Sequence, residues 1–136
     1  MSTFEEIKTG NASHQGWPYS EAVRAGDFIF VAGIGAEDET SGQLVGQTIE
    51  EQTRFVFAKV DRILAHAGVS LRQVCRVAVH LKDIRDFQAF SDTYARVFDW
   101  EPKPTRITQQ SGLWPGLLLE VECTAYQPLQ KGPQCN

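Results

Sequence analysis

The chain has 136 residues, enough to enclose one hydrophobic core and too few for two ordinary domains, so a single domain over 1–136 is expected, with 128–136 as a tail. Its 42% apolar and 22% charged residues exclude a disordered or fibrous chain, and 13 basic against 17 acidic residues leave a net charge of −4, which opposes binding to a polyanion such as nucleic acid. The opening Met1-Ser2-Thr3-Phe4-Glu5-Glu6 lacks the basic region and apolar run of a secretory leader, and no apolar run approaches the ~20 residues of a membrane span; the expected location is the cytoplasm.

In chain order, 22–33 reads as two β segments about a Gly26-Asp27 turn, the second rich in β-branched and aromatic residues. A polar, turn-forming run covers 37–42. Thr48 and Glu51 then make a capping box for a helix expected to reach about Ala67, where Gly68 stops it. Ile49, Val56, Val60, Ile63, Leu64 and Ala67 form its buried stripe, leaving Glu50, Arg54, Asp61 and Arg62 to face water.

Cys75, Val77, Val79 and Leu81 alternate with polar or small residues, the period of a strand covered on one face. A second helix follows, capped by Asp83 or Asp86, and its stripe of Phe87, Phe90, Tyr94, Val97 and Phe98 predicts core packing. Pro102 and Pro104 end it, and strands are expected over 105–110 and 117–127. In the last strand Leu117, Leu119, Val121, Cys123 and Ala125 share one face, with Leu118, Glu120, Glu122, Thr124 and Tyr126 on the other. Two helices can cover one face of such a sheet; a second copy of the chain is the economical cover for the other.

The cysteines, Cys75, Cys123 and Cys135, and the histidines, His14, His66 and His80, lack the spacing of a disulfide framework or a metal site, so no metal is expected. Cys75 and Cys123 are read as small buried side chains and Cys135 as tail.

The residues that stand out chemically are Arg106, in the uncharged run Pro104-Thr105-Arg106-Ile107-Thr108, and Glu120, in the apolar run Leu117-Leu118-Leu119-Glu120-Val121 that ends at Glu122. A guanidinium grips a carboxylate through two parallel hydrogen bonds, and a carboxylate nearby can hold or activate water, so the pair suggests a pocket for a small acid. A cross-strand or surface ion pair is the plainer alternative. Their positions are symmetric about Leu113, as for facing residues of one hairpin.

Pro18-Tyr19-Ser20-Glu21-Ala22-Val23, Phe30-Val31-Ala32-Gly33, Thr48 through Gln52-Thr53, Ala67-Gly68, Tyr94 through Phe98, Pro104-Thr105-Arg106 and Leu119-Glu120-Val121-Glu122, in that order and spacing, resemble the Rid proteins, also called the YjgF/YER057c/UK114 or L-PSP family. The resemblance implies an α+β fold like that of the Bacillus-type chorismate mutase: one mixed sheet, two helices on one face, and a homotrimer with a pocket at each interface. It implies cofactor-independent hydrolysis of reactive enamine and imine acids, such as 2-aminoacrylate, to 2-oxo acids and ammonia. Arg106 would bind the substrate carboxylate and Glu120 would position water, with Tyr19, Ala32, Gly33, Ser91, Thr108 and Trp114 around the substrate; Trp17 offers a further aromatic wall. It also implies that the last strand lies inside the sheet, which removes the hairpin.

Three positions depart from the common pattern. Ala32-Gly33-Ile34 stands where many members have Ser-Gly-Gln, and Ser91 where asparagine is frequent. Loss of polar pocket groups points to a less polar or larger substrate, or to weaker action on 2-aminoacrylate. A non-catalytic metabolite-binding or regulatory trimer, a dedicated catabolic deaminase such as one for 2-aminomuconate, and a ribonuclease are the alternatives, the last opposed by the acidic charge.

Overall fold

The computed structural model describes residues 3–129, so Cys135 lies outside the described residues. Among the described residues seven strands build one mixed sheet: β1 (Glu5–Glu6), β2 (Ala22–Ala25), β3 (Phe28–Val31), β4 (Ile34–Gly35), β5 (Val74–Leu81), β6 (Thr105–Gln110) and β7 (Leu119–Tyr126). Their order is β1-β2-β3-β7-β5-β6, with β4 also paired to β7. The helices α1 (Ile49–Ala65) and α2 (Phe87–Val97) pack on one face, which makes this an α+β sheet as expected.

Strand β7 is antiparallel to both β3 and β5 and therefore central, while β5 and β6 run parallel, joined through α2. The hairpin geometry suggested by symmetry about Leu113 is thus absent, and Arg106 on edge strand β6 is one strand removed from Glu120. The expected turn at Gly26 forms, joining β2 and β3 with Gly26 at φ 61°.

The Thr48 cap forms as the sequence predicts. Thr48 Oγ1 accepts from the Glu51 N–H at 3.1 Å, and Glu51 Oε1 accepts from the Thr48 N–H at 3.2 Å. The helix proper ends at Ala65, two residues before the expected limit, and the chain turns out through Gly68 at φ 76°. Ile49, Val56, Val60, Ile63 and Leu64 are buried as predicted, joined by Phe57, Gln52, Thr53 and Lys59. Phe57 packs edge-on against Phe98, with ring centroids 5.2 Å apart, and against Tyr94 at 5.5 Å. Such pairs add about 0.5–1.5 kcal/mol each beyond burial.

Gln52 ties the approach to β7. Its Nε2 donates to the carbonyls of Gly46 (3.2 Å) and Gly116 (2.9 Å), and its Oε1 accepts from the Leu118 N–H at 2.8 Å. Those bonds fix the start of the strand that carries Glu120.

Two sequence expectations fail here. Cys75 is exposed, because the register of β5 against β7 slips between Val74 and Arg76; this irregularity puts Val74 inward and turns Cys75 and Arg76 out. Phe87, placed in the α2 core stripe, is 40% exposed at the first turn, beside Arg106, whereas Phe90, Tyr94 and Phe98 are buried. Asp83 caps the short turn before α2, with Oδ1 accepting from the Arg85 N–H, and Asp86 occupies the α2 cap position without a side-chain bond. Among the described residues, no helix is long and apolar enough to cross a membrane.

Candidate functional site

Alternation along β7 sends Leu119, Val121, Cys123 and Ala125 under the helices and turns Glu120 to the opposite face. Beside Glu120 on β5 is His80, its registered partner, and across β4 lies Gly35. The carboxylate of Glu120 occupies the space above Gly33: the nearest atoms that a Cβ at Gly33 would meet all belong to the Glu120 side chain. Gly33 is therefore the floor on which the carboxylate rests.

A cavity of about 260 Å³ opens over that floor. Tyr19, Ala32, Gly33, Trp114 and Glu120, all predicted from the sequence, line it, and so does Trp17. The aromatic wall is braced locally. His14 Nε2 donates to the Tyr19 carbonyl at 2.7 Å, Trp17 Nε1 donates to the Ser13 carbonyl at 3.1 Å, and the His14 and Tyr19 rings meet edge-on at 5.0 Å. The Ala32 N–H donates to the Glu21 carbonyl at 2.9 Å, which ties this wall to the strand beneath.

Burial pushes the Glu120 carboxyl above its ordinary value; His80 pulls it down, and the Glu37 and Glu122 carboxylates push it up again. No hydrogen bond to it from the described residues contributes to this balance. Tyr19 is raised as well, first by burial and then by Glu120, Glu37 and Glu21. His80 is held by Ser111 Oγ, 2.9 Å from Nδ1, and by Glu122 Oε1, 3.3 Å from Nε2. The site thus combines a proton-retaining carboxyl with a flanking imidazole.

Arg106 is placed elsewhere. It registers with Val77, whose side chain is in the core under the helices, and its guanidinium lies against α2. The guanidinium carbon sits 4.7 Å from the Tyr94 ring centroid, 5.3 Å from Phe90 and 5.5 Å from Phe87. Nη2 donates to Ser91 Oγ at 3.0 Å, so Ser91 and Arg106 meet as the predicted set requires. A guanidinium has five N–H donors, and this one bond leaves most of the fork available. The charge therefore lies within cation–π range of three rings, a contact worth about 0.5–2 kcal/mol per favourable ring. Burial pushes the adjacent Tyr94 hydroxyl up to about 12, against the opposing pull of Arg106. Thr108 registers with buried Val79 and falls on the same, helix-covered face.

Within one chain, therefore, two half-sites form on opposite faces of the sheet: Glu120 with Tyr19, Ala32, Gly33 and Trp114, and Arg106 with Ser91 and Thr108. The sequence reading missed three charged residues of the cavity, Glu21, Glu37 and Lys59. Lys59, 5% exposed on α1, donates from Nζ to the Glu37 carbonyl at 2.7 Å and the Gly35 carbonyl at 3.4 Å. A lysine on an amphipathic helix reads as solvent-facing, and the carbonyls of the 35–37 turn explain its burial.

Comparison with known proteins agrees with this architecture. The family model described as Endoribonuclease L-PSP matches residues 9–127. A RutC family protein of Pyrococcus horikoshii is 40% identical over 124 residues, covering 90% of this chain and 98% of the relative. The chloroplastic Reactive Intermediate Deaminase A of Arabidopsis thaliana is 30% identical over 122 residues, covering 89% of this chain and 65% of that protein. Among solved structures, E. coli TdcF with bound serine superposes with a TM-score of 0.80 at 26% identity, over 90% of this chain and 98% of that one. With the fold, the ordered motifs and these matches in agreement, the chain belongs to the Rid, or L-PSP, family.

Proposed function

We propose that this protein hydrolyses small reactive imine and enamine carboxylic acids to 2-oxo acids and ammonia, in pockets shared between copies of a homotrimer. The observation that carries the reading is Glu120: a half-buried carboxyl with a raised pKa, set over Gly33 in a cavity and without a donor among the described residues to neutralise it. Such a group takes a proton from water and returns it.

An iminium carbon is already electrophilic. Glu120 orients water at that carbon and accepts its proton as the C–O bond forms, giving a carbinolamine. The proton then passes to the nitrogen, the C–N bond breaks, and ammonia leaves as the hydroxyl gives its proton to Glu120 and the carbonyl forms. The overall change is addition of one water and release of one ammonia, with no redox change. Arg106, held beside three rings and by Ser91, grips the substrate carboxylate.

Because Arg106 and Glu120 face opposite sides of the sheet, the two meet only if one copy supplies each. The sheet face away from the helices exposes Phe28, Phe30, Tyr126 and Ile107, and Arg106 lies on edge strand β6, where a neighbour can reach it. This supports assembly through that face. E. coli TdcF, a structural relative, holds serine, a small molecule of the kind this pocket suits.

The reading is tested by generating 2-aminoacrylate or 2-iminobutyrate with a dehydratase and following 2-oxo acid release with wild type and Arg106→Ala. Wild type should accelerate release and Arg106→Ala should lose most of the effect; release at the uncatalysed rate across several imino acids defeats it. The family description also raises a ribonuclease. The net charge of −4 and the carboxylates of the cavity oppose a polyanion, and RNA cleavage abolished by a point mutation would be needed to support that second reading.

A further inference from the structure

The cavity around Glu120 carries more negative charge than binding a carboxylate-bearing imine requires. Three carboxylates line it, Glu21, Glu37 and Glu120, against one ammonium, Lys59. That ammonium is already committed to the Glu37 and Gly35 carbonyls, and its charge acts on Asp38 and Glu39.

Glu21 is the more telling residue. It is 5% exposed, and both of its donors converge on one oxygen: Thr9 Oγ1 at 2.7 Å and Asn11 Nδ2 at 2.8 Å both bond Oε1. Oε2 receives no hydrogen bond from the described residues, although Glu21 lines the cavity. Glu21 as a residue is buried, so this oxygen opens onto the cavity alone, and a cation or donor held there completes its bonding. The side chains of Trp17, Tyr19 and Trp114 add π faces, which attract a positive charge. All three carboxylates also act on the Tyr19 hydroxyl, so their fields converge on one place.

We infer that the cavity holds an organic cation: the substrate carries a positively charged nitrogen group beyond its reacting carbon, received by Glu21 and Glu37 between the aromatic side chains. The identity of the reacting end rests on the deaminase reading; the cation site does not. At roughly 30 Å³ for each water-sized group, the volume of about 260 Å³ takes a chain of about eight or nine heavy atoms, enough for a guanidinium on a short alkyl stem.

The test has two arms. Tryptophan fluorescence or calorimetry compares n-butylguanidinium with its neutral isostere n-butylurea, neither of which bears an imine or a carboxylate. The cation should bind about tenfold or more tightly than the urea, and Glu37→Gln or Glu21→Gln should erase most of that preference. In the second arm, an amino-acid oxidase with catalase generates the imino acids of arginine and citrulline, and kcat/KM should favour the arginine product by a similar factor. Equal binding of the two probes, or equal hydrolysis of the two imines, overturns the inference while leaving the deaminase reading standing. Selective cation binding with no imine hydrolysed supports the cation site and removes the deaminase reading instead.

Discussion

Replacing Gly33 by alanine isolates the role of Glu120 from the stability of the fold. The three atoms nearest to a Cβ at Gly33 all belong to the Glu120 side chain, and Gly33 does not have the positive φ that would strain alanine. The carboxylate must therefore swing away. That side chain has no hydrogen bond from the described residues to lose, so the change in folding stability should stay below about 1 kcal/mol, the range of substitutions that disturb no packed or bonded group. The water it orients is displaced by an ångström or more, and misplacement on that scale costs about 10²-fold in rate. The assay pairs denaturant unfolding with 2-oxo acid release from 2-iminobutyrate, for Gly33→Ala, Glu120→Gln and the double variant. Because both single changes remove the same oriented water, the double variant should be little slower than Glu120→Gln alone. A Gly33→Ala protein at the wild-type rate, or a double variant slowed by the product of the two single effects, would refute the argument.

Other consequences concern charge and burial. Since the folded state raises the Glu120 pKa, the stability carried by its protonated form is complete below the unfolded value and is lost as pH rises through the folded value. Glu120→Gln should therefore gain in Tm relative to wild type as pH rises above the ordinary glutamate value of about 4.3, and the acid limb of the wild-type rate should lie above that value; a Tm difference independent of pH would contradict this. Lys59→Met leaves the Gly35 and Glu37 carbonyls without their donor and should cost roughly 2–4 kcal/mol by urea unfolding, against less than about 1 kcal/mol for exposed Arg54→Met. In a Cys135→Ser background, a thiol reagent should label Cys75 in the native protein and reach Cys123 only after unfolding, because burial pushes the Cys123 thiol up to about 12.

Much of the framework was legible because period and capping act locally. The Thr48 and Glu51 box, the α1 stripe as far as Leu64 and the alternation of β7 each depend on neighbours within a few residues and form as read, while Ala67 falls beyond the helix and is half-buried. Where the reading failed, the deciding contact is distant in sequence. The slip opposite Thr124 turns Cys75 outward, a change that no alternation within β5 reveals. Lys59 is buried because carbonyls 22 and 24 residues away come to it, and Glu21 because Thr9 and Asn11 fold back over it. The site shows the same division. Arg106 and Glu120 stood out in strand-like runs with few charges, yet their placement on opposite faces follows from the pairing of β6 and β7 with β5, a register that neither run encodes by itself.

That separation makes the sharing of a site between copies the central claim, and subunit mixing tests it most directly. Arg106→Ala and Glu120→Gln, each inactive alone, are unfolded together, refolded at equal concentrations and assayed for 2-oxo acid release. If each pocket takes Glu120 from one copy and Arg106 from the next, random mixing restores about a quarter of the wild-type activity per chain, since one junction in four joins the two intact residues. Activity that stays at the level of the separate variants, with mixed oligomers demonstrated by mass spectrometry, would contradict the account.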